Sequence, residues 1–287
     1  MLITTRFLNS IPSHCLRLAL CIVFFAQLTG CGGGHGFEPV VTAVKLQSLQ
    51  YGRVATIFVG GKDLRSTLIV DSEGACENVT IAPNSSTELL GFNCRITSVG
   101  TFALRIKGQS GEVLYSAAMV VPKPQVKLIT NLGDITLELE PAAAAATVNN
   151  FLSYVYSNYY AGTLFHRVIP GFVIQGGGYS AGMLKKQGQM QPIMLESNKG
   201  LSNSRGTLAM ARTSVFNSAT SEFFINLVNN TSLDYQNQSS PGYAVFGAVI
   251  EGMAVVDAIA AQPTGFISGS NDVPLVDSTV ILAIQVK

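Results

Sequence analysis

Two hydrophobic periods run along this chain. From about residue 40 to residue 121, apolar positions alternate with polar ones in short runs broken by Gly, Asn, Asp and Ser, the pattern of half-buried β-strands. In Thr101-Phe102-Ala103-Leu104-Arg105-Ile106-Lys107, Phe, Leu and Ile fall on one face and Thr, Arg and Lys on the other. Roughly seven such runs in about eighty residues predict a small antiparallel β-sandwich over 40–121, with an immunoglobulin-like topology expected. Asp63, Asp71 and Glu73 fall between strands and are expected to be solvated rather than to hold a metal.

Val121-Pro122-Lys123-Pro124 then reads as a linker, 122–124, because two prolines lack amide donors and hold the chain extended. Beyond it, residues 126–130 and 134–139 alternate around Asn131-Leu132-Gly133 and predict a hairpin. The period then changes. Pro141 suits a first helical turn, and Val148, Phe151, Leu152 and Val155 follow at i, i+3, i+4, i+7, so a helix is expected over 141–157, with five alanines inside it. A second helix is expected over 253–261, before Pro263. Strands are expected at 164–169, 172–175, 206–211, 222–227, 244–249 and 279–286. With the hairpin they make eight, and eight strands with two helices predict a closed barrel over 125–287 in a mainly β protein, with the helices covering its ends.

The first thirty residues fit neither period. They hold two bases, Arg6 and Arg17, no acid, and an apolar run that ends in Leu28-Thr29-Gly30-Cys31. That is an export signal over 1–30, too short in its apolar part to span a bilayer. Leu-Thr-Gly-Cys resembles the lipobox of bacterial lipoproteins, which implies lipidation at Cys31, and the glycines from Gly32 to Gly36 suit a flexible tether, 31–39. The expected location is a bacterial cell envelope, periplasm-facing and membrane-anchored. Gly32, where an Asp commonly retains lipoproteins at the inner membrane, leans the expectation to the outer one.

Composition sharpens this picture in three places. At 287 residues, with 47% hydrophobic and 12% charged, the chain can fill two ordinary cores. A formal net charge of +1 with no stripe of Lys or Arg argues against nucleic acid as a partner. Of five cysteines, Cys15 and Cys21 leave with the leader and Cys31 carries lipid, so Cys76 and Cys94 remain for a disulfide in an oxidising compartment.

Common enzyme chemistries find little support. Only His35 and His166 survive the leader, no His, Cys and carboxylate set has metal spacing, and no Ser sits in Gly-x-Ser-x-Gly. Gly176-Gly177-Gly178 lacks the Lys-Ser/Thr of a phosphate loop. No metal or cofactor is expected. What stands out is the run from Phe165-His166-Arg167 through Pro170-Gly171-Phe172-Val173-Ile174-Gln175 to Gly178. With Gly206-Thr207-Leu208-Ala209-Met210-Ala211-Arg212, then Ser221-Glu222-Phe223-Phe224-Ile225-Asn226 and Tyr243-Ala244-Val245-Phe246-Gly247, it resembles the cyclophilin family, especially its bacterial periplasmic members.

That resemblance implies peptidyl-prolyl cis-trans isomerisation, with proline-containing polypeptides as partners. Rotation about X-Pro removes amide resonance at a barrier of ~18–20 kcal/mol, and no bond need break. It implies Arg167 as the permanent donor beside the prolyl nitrogen, with Phe172, Val173, Phe224 and Leu233 lining an apolar slot and Tyr243 at its rim. Gln175 and the Ala211-Arg212 backbone are expected to hold the substrate chain. His166 is expected to be a structural hydrogen bonder, since the reaction transfers no proton. A catalytically weak proline-peptide or partner-binding module is the alternative, kept open by two departures. Glu222 stands where many relatives have Gln; if its carboxylate faces the groove it could pair with Arg167, and it is expected to weaken turnover on uncharged peptides or to favour basic ones. Ser232 stands where relatives often have Trp or Phe. The expected consequence of Ser232 is weak binding of cyclosporin-type inhibitors, checked by titrating activity with cyclosporin; tight stoichiometric inhibition contradicts it.

Overall fold

Inward-facing apolar residues on alternate positions build both halves of the chain. The structure is a computed structural model that describes residues 38–287, and these form one compact unit. The leader, Cys31 and the tether up to residue 37 lie outside the described residues. The first seven strands are β1 (Val40–Gln47), β2 (Val54–Lys62), β3 (Ile69–Asp71), β4 (Cys76–Ile81), β5 (Leu89–Ile96), β6 (Gly100–Lys107) and β7 (Val113–Val121). They form a four-stranded sheet, β1-β2-β5-β4, and a three-stranded one, β3-β6-β7, both antiparallel.

One core serves both sheets: Ala55, Ile57 and Val59 of β2, Phe92 and Cys94 of β5, Leu104 and Ile106 of β6, and Met119 of β7 are buried together. On the opposite face of β6, Arg105 pairs with Asp71 and Glu73, and Lys107 with Asp71. Cys76 and Cys94 form a disulfide between β4 and β5, with 5.5 Å between their Cα atoms.

The remaining strands are β8 (Gln125–Thr130), β9 (Gly133–Leu139), β10 (Thr163–Leu164), β11 (Arg167–Ile169), β12 (Val173–Gly176), β13 (Tyr179–Ser180), β14 (Leu184–Lys185), β15 (Thr207–Met210), β16 (Phe223–Asn226), β17 (Val245–Glu251), β18 (Thr264–Ile267), β19 (Ser270–Pro274) and β20 (Thr279–Gln285). Helix α1 (Ala145–Tyr156) follows β9, and α2 (Met253–Ala260) follows β17. One curled sheet of eleven strands runs β11-β12-β16-β15-β17-β9-β8-β20-β10-β13-β14. Its first eight members correspond to the expected eight strands.

Three expectations need correction. The sheet is a half-barrel with three added two-residue strands, β10, β13 and β14; its two end strands are not hydrogen-bonded to each other among the described residues. The run 164–169 is not one strand, because Phe165 and His166 interrupt it: β10 pairs with β20 and β11 with β12, at different places in the sheet. Helix α1 starts at Ala145, not Pro141. Residues 141–143 form a turn off the Glu140 carbonyl, and the carboxylate of Glu196 accepts from the amides of Ala146 and Thr147 and from the Thr147 hydroxyl. A cap supplied from fifty residues away outweighs the alanines' helix propensity.

The predicted apolar stripe of α1 is buried: Val148, Phe151, Leu152 and Val155 all face the half-barrel core. Phe151 meets Tyr160, Phe223 and Phe246 with ring centroids 5.1–5.5 Å apart. Tyr51, from the loop between β1 and β2, belongs to the same core. Nearby, the Arg53 guanidinium lies 3.9 Å from the Tyr156 ring centre, and the Tyr156 hydroxyl donates to Gln285. No helix among the described residues is long and apolar enough to cross a membrane.

The disulfide closes a loop across 18 residues, which a chain-entropy argument values at about 3 kcal/mol. Replacing Cys76 and Cys94 by Ala is therefore expected to lower unfolding free energy by about that amount. Urea titration checks it; an unchanged midpoint contradicts it.

Candidate active site

The site is a single row of residues across five strands. Arg167 on β11 pairs with Gln175 on β12, Gln175 with Phe224 on β16, Phe224 with Ala209 on β15, and Ala209 with Val245 on β17. Side chains alternate between faces along a strand, so this row points away from the main core while its chain neighbours point into it. Ile174, Ile225, Phe223, Leu208 and Phe246 accordingly lie in the core. Val173, Ala209, Phe224 and Val245 form a separate apolar cluster against which Phe172, Leu233, Ala211 and Tyr243 pack.

That cluster is the floor of a pocket of about 180 Å³ lined by Arg167, Phe172, Val173, Gln175 and Phe224 on one side and Ala211, Arg212, Leu233 and Tyr243 on the other. Nine of the ten groove residues expected from the sequence thus meet in one hollow. Glu222, the tenth, lines an adjoining hollow that shares Gln175, Ala211 and Arg212.

Each wall is held from behind. Phe172 follows a turn in which Gly171 takes a positive φ of 71°, and its carbonyl accepts from the amide of Leu227 and from Asn230 Nδ2. Asn230 in turn bonds Asn226, which bonds Asn203, and all three are buried. Leu233 is fixed through its amide to Asn230 and through its carbonyl, which accepts from the Tyr243 amide. Gly242 must be glycine here: its φ is +63° and a Cβ would lie 2.4 Å from the Leu233 carbonyl oxygen. Tyr243 stands edge-on to Phe224, with centroids 5.5 Å apart.

Arg212 works as a clamp. Its Nε and Nη2 donate to the Gly242 carbonyl at 3.0 and 2.9 Å, Nη1 donates to the Thr213 carbonyl, and the guanidinium lies 4.7 Å from the Tyr243 ring centre. The Ala211 amide donates to the Glu222 carbonyl. This narrows the expected role of the Ala211-Arg212 backbone, since the Ala211 N–H is already committed within the sheet.

Arg167 is half-buried at the pocket edge and forms no ion pair among the described residues. Its Nη1 donates to Gln175 Oε1 at 3.4 Å. The pairing of Arg167 with Glu222 is not made, because Gln175 stands between them, accepting from Arg167 and donating to Glu222. Glu222 reaches the nearer groups instead: Gln175 Nε2 donates to its Oε2 at 2.8 Å, and His166 Nε2 lies 3.3 Å from the same oxygen. A carboxylate only accepts, so it compels Gln175 to turn its amide nitrogen inward and its carbonyl toward Arg167. Glu222 thereby orients the Arg167 acceptor without spending the Arg167 charge.

Burial pushes the Glu222 carboxyl up, but the His166 and Gln175 contacts and the charge of Lys185 together hold it below its ordinary 4.5. His166 is buried, with its Nδ1 lacking a hydrogen-bond partner and its ring against Tyr179. Sequence reasoning missed the second hollow's other lining groups, Lys185, Gln189, Thr213, Ser218 and Thr220. Only the polar run just before Glu222 hinted at them. Ser232 is exposed in the short 3₁₀ turn that ends at Leu233.

No group of three or more His, Cys, Asp or Glu residues suited to a metal ion occurs among the described residues. The arrangement is an apolar slot with one uncommitted cation at its edge and an adjoining polar hollow, the equipment of a binder or isomerase of extended polypeptide. The family model for cyclophilin type peptidyl-prolyl cis-trans isomerase/CLD matches residues 125–286. A peptidyl-prolyl cis-trans isomerase of Acinetobacter baylyi is 47% identical over 174 residues, covering 61% of this chain and 91% of that protein. Peptidyl-prolyl cis-trans isomerase B of Escherichia coli is 49% identical over 150 residues, covering 52% of this chain and 91% of that protein. A solved cyclophilin type isomerase of Cryptosporidium parvum, in the presence of the dipeptide Ala-Pro, superposes with a TM-score of 0.47 at 27% identity, covering 57% of this chain and 99% of its own. The chain belongs to the cyclophilin-type peptidyl-prolyl cis-trans isomerase family.

Because Glu222 has a lowered folded value, its contribution to stability is present above its unfolded value and is lost as pH falls through the folded one. Glu222→Gln is expected to flatten the fall in unfolding free energy below about pH 4.5. Denaturant titrations across that range check it; an identical acid limb in both proteins contradicts it.

Proposed function

We propose that the chain catalyses cis–trans isomerisation of X-Pro bonds in polypeptides exported to a bacterial cell envelope, acting from a lipid anchor at Cys31. The proline ring enters the slot between Phe172, Val173, Phe224 and Leu233, with Tyr243 at its rim. Gln175 and the backbone beside Arg212 hold the flanking chain. Arg167 donates to the prolyl nitrogen as it leaves the amide plane.

The observation that carries this reading is Arg167 itself, uncommitted to any carboxylate and lining the same pocket as Phe172 and Phe224. In the planar amide the nitrogen lone pair is delocalised into the carbonyl and accepts poorly. At the twisted state the pair is localised and accepts well, so the interaction strengthens where the energy is highest. Arginine suits the task because its charge persists at every physiological pH. No proton moves, so His166 has no acid–base part.

The leader and the Leu-Thr-Gly-Cys sequence support the envelope location, with the outer membrane favoured by Gly32. Residues 40–121 are read as an immunoglobulin-like module that spaces residues 125–287 from the membrane. X-Pro isomerisation takes tens of seconds unaided and limits folding there.

Removing one preorganised donor of this kind typically costs about 10²–10³ in rate. In a protease-free peptidyl-prolyl assay, Arg167→Ala is expected to lose kcat/KM by that order while keeping the wild-type circular dichroism spectrum. Equal rates for the two proteins, or no rate above background in the wild type, contradict the proposal.

A further inference from the structure

The loop between β1 and β2 does not fold back onto its own sheets. Tyr51, only 3% exposed, is buried in the core of the half-barrel beside α1. The loop's root stays with the first seven strands. The Gly52 amide donates to the Ile96 carbonyl at 2.8 Å and the Ile96 amide to the Arg53 carbonyl at 2.9 Å, which hooks the loop to the end of β5.

A single stripe of α1 receives it, since Asn149, Leu152 and Tyr156 recur at i, i+3, i+7. The Arg53 guanidinium lies 3.9 Å from the Tyr156 ring centre, and a Cβ on Gly52 would come within 3.1 Å of the Tyr156 hydroxyl oxygen and 3.7 Å of Leu152. Burial pushes the Tyr51 hydroxyl above its ordinary 10.0, and the Asn149 side chain opposes that rise. Gln285 of β20 closes the joint: its Nε2 donates to the Tyr51 carbonyl at 3.2 Å, and its Oε1 accepts from the Tyr156 hydroxyl. Val99, between β5 and β6, packs on both cores.

The other side of α1 reaches the groove in one step. Phe151 packs on Phe223 and Phe246, the chain neighbours of Phe224 and Val245 in the groove floor. Asn150 Nδ2 donates to the Thr220 carbonyl at 2.7 Å, in the segment that leads into β16. Twelve residues are too few for a helix to be stable by itself, so α1 depends on what covers both of its sides. The residues matched to the family start at 125, so Tyr51 and Arg53 are supplied from outside them.

We propose that residues 48–53 are a built-in brace of the isomerase: the first seven strands hold α1 through Tyr51 and Arg53, and α1 in turn holds β16 and β17 in their groove-forming positions. The N-terminal strands are then a working part of the catalyst and not only a spacer. The inference rests on the function proposed above for its rate readout, and on amide exchange independently of it.

The test uses the full chain as wild type, Tyr51→Ala, Tyr51→Phe and Arg53→Ala, at a temperature where circular dichroism shows them folded. Amide hydrogen exchange and kcat/KM in a protease-free peptidyl-prolyl assay are measured on each. Tyr51→Ala is expected to speed exchange at 148–156 and 223–226 by about 10-fold or more, while the amides of β2 and β5 keep wild-type rates. Its kcat/KM is expected to fall about 5-fold or more. Arg53→Ala is expected to move both readouts the same way by less, and Tyr51→Phe, which keeps the ring, to leave both at wild type.

Wild-type exchange at 148–156 in Tyr51→Ala overturns the proposal, as does acceleration spread equally over β2 and β5. So does an unchanged kcat/KM, which makes Tyr51 core filling and nothing more. If Tyr51→Ala does not fold, Arg53→Ala decides, and wild-type values in both readouts overturn the brace. Should the wild type show no Arg167-dependent rate, the catalytic reading fails and the exchange pattern alone decides the brace.

Discussion

Strand alternation in register is the constraint on which everything else rests. A shift of one residue in β12 or β16 would turn Gln175 or Phe224 into the core and bring Ile174 or Ile225 out to the groove. The register is held by the core itself, where Phe151 of α1 packs against Phe223 and Phe246. The apolar face that stabilises the half-barrel therefore also sets the positions of the groove residues on its opposite face. The placing of the groove row is thus a by-product of core packing, carried across five strands to Arg167 at the edge.

Behind the row, polar groups are spent in fixing orientation rather than in chemistry. Glu222 sets the amide of Gln175, Arg212 fastens Gly242 to Thr213, and Asn203, Asn226 and Asn230 hold the chain around Phe172 and Leu233. Asp234 adds to this set: burial raises its carboxyl, yet donors from Ser202 and Asn203 hold it below the ordinary range. Among the described residues Arg167 forms no ion pair and is held only by Gln175. In the proposed mechanism, preorganisation of that sort lets one donor act without rearrangement when the imide twists.

Much of this was legible in the sequence, for physical reasons that also explain the rest. Eight strands of the half-barrel lie within the apolar runs expected, and the buried stripe of α1 follows the 3.6 period, so both could be read from neighbours in the chain. The groove residues were legible through the Phe-His-Arg, Gln-Gly-Gly and Phe-Phe-Ile-Asn blocks. What failed was non-local. The start of α1 depends on Glu196, the break at Phe165 and His166 depends on two partner strands far apart in sequence, and the contacts of Glu222 are with Gln175 and His166, distant in the chain. The small hairpin of β18 and β19, between Thr264 and Pro274, was not anticipated either, since its polar composition carries no period.

The central claim is that Arg167 favours a twisted imide over a planar one, so binding and turnover must respond differently to its loss. The most direct measurement is the dissociation constant of Arg167→Ala for the cis and trans forms of one proline peptide, taken with the bound-state exchange rate by lineshape analysis. The account predicts both constants within about twofold of wild type while the exchange rate falls by roughly 10² or more. A rise in both constants with an unchanged exchange rate would make Arg167 a ground-state binder and contradict it.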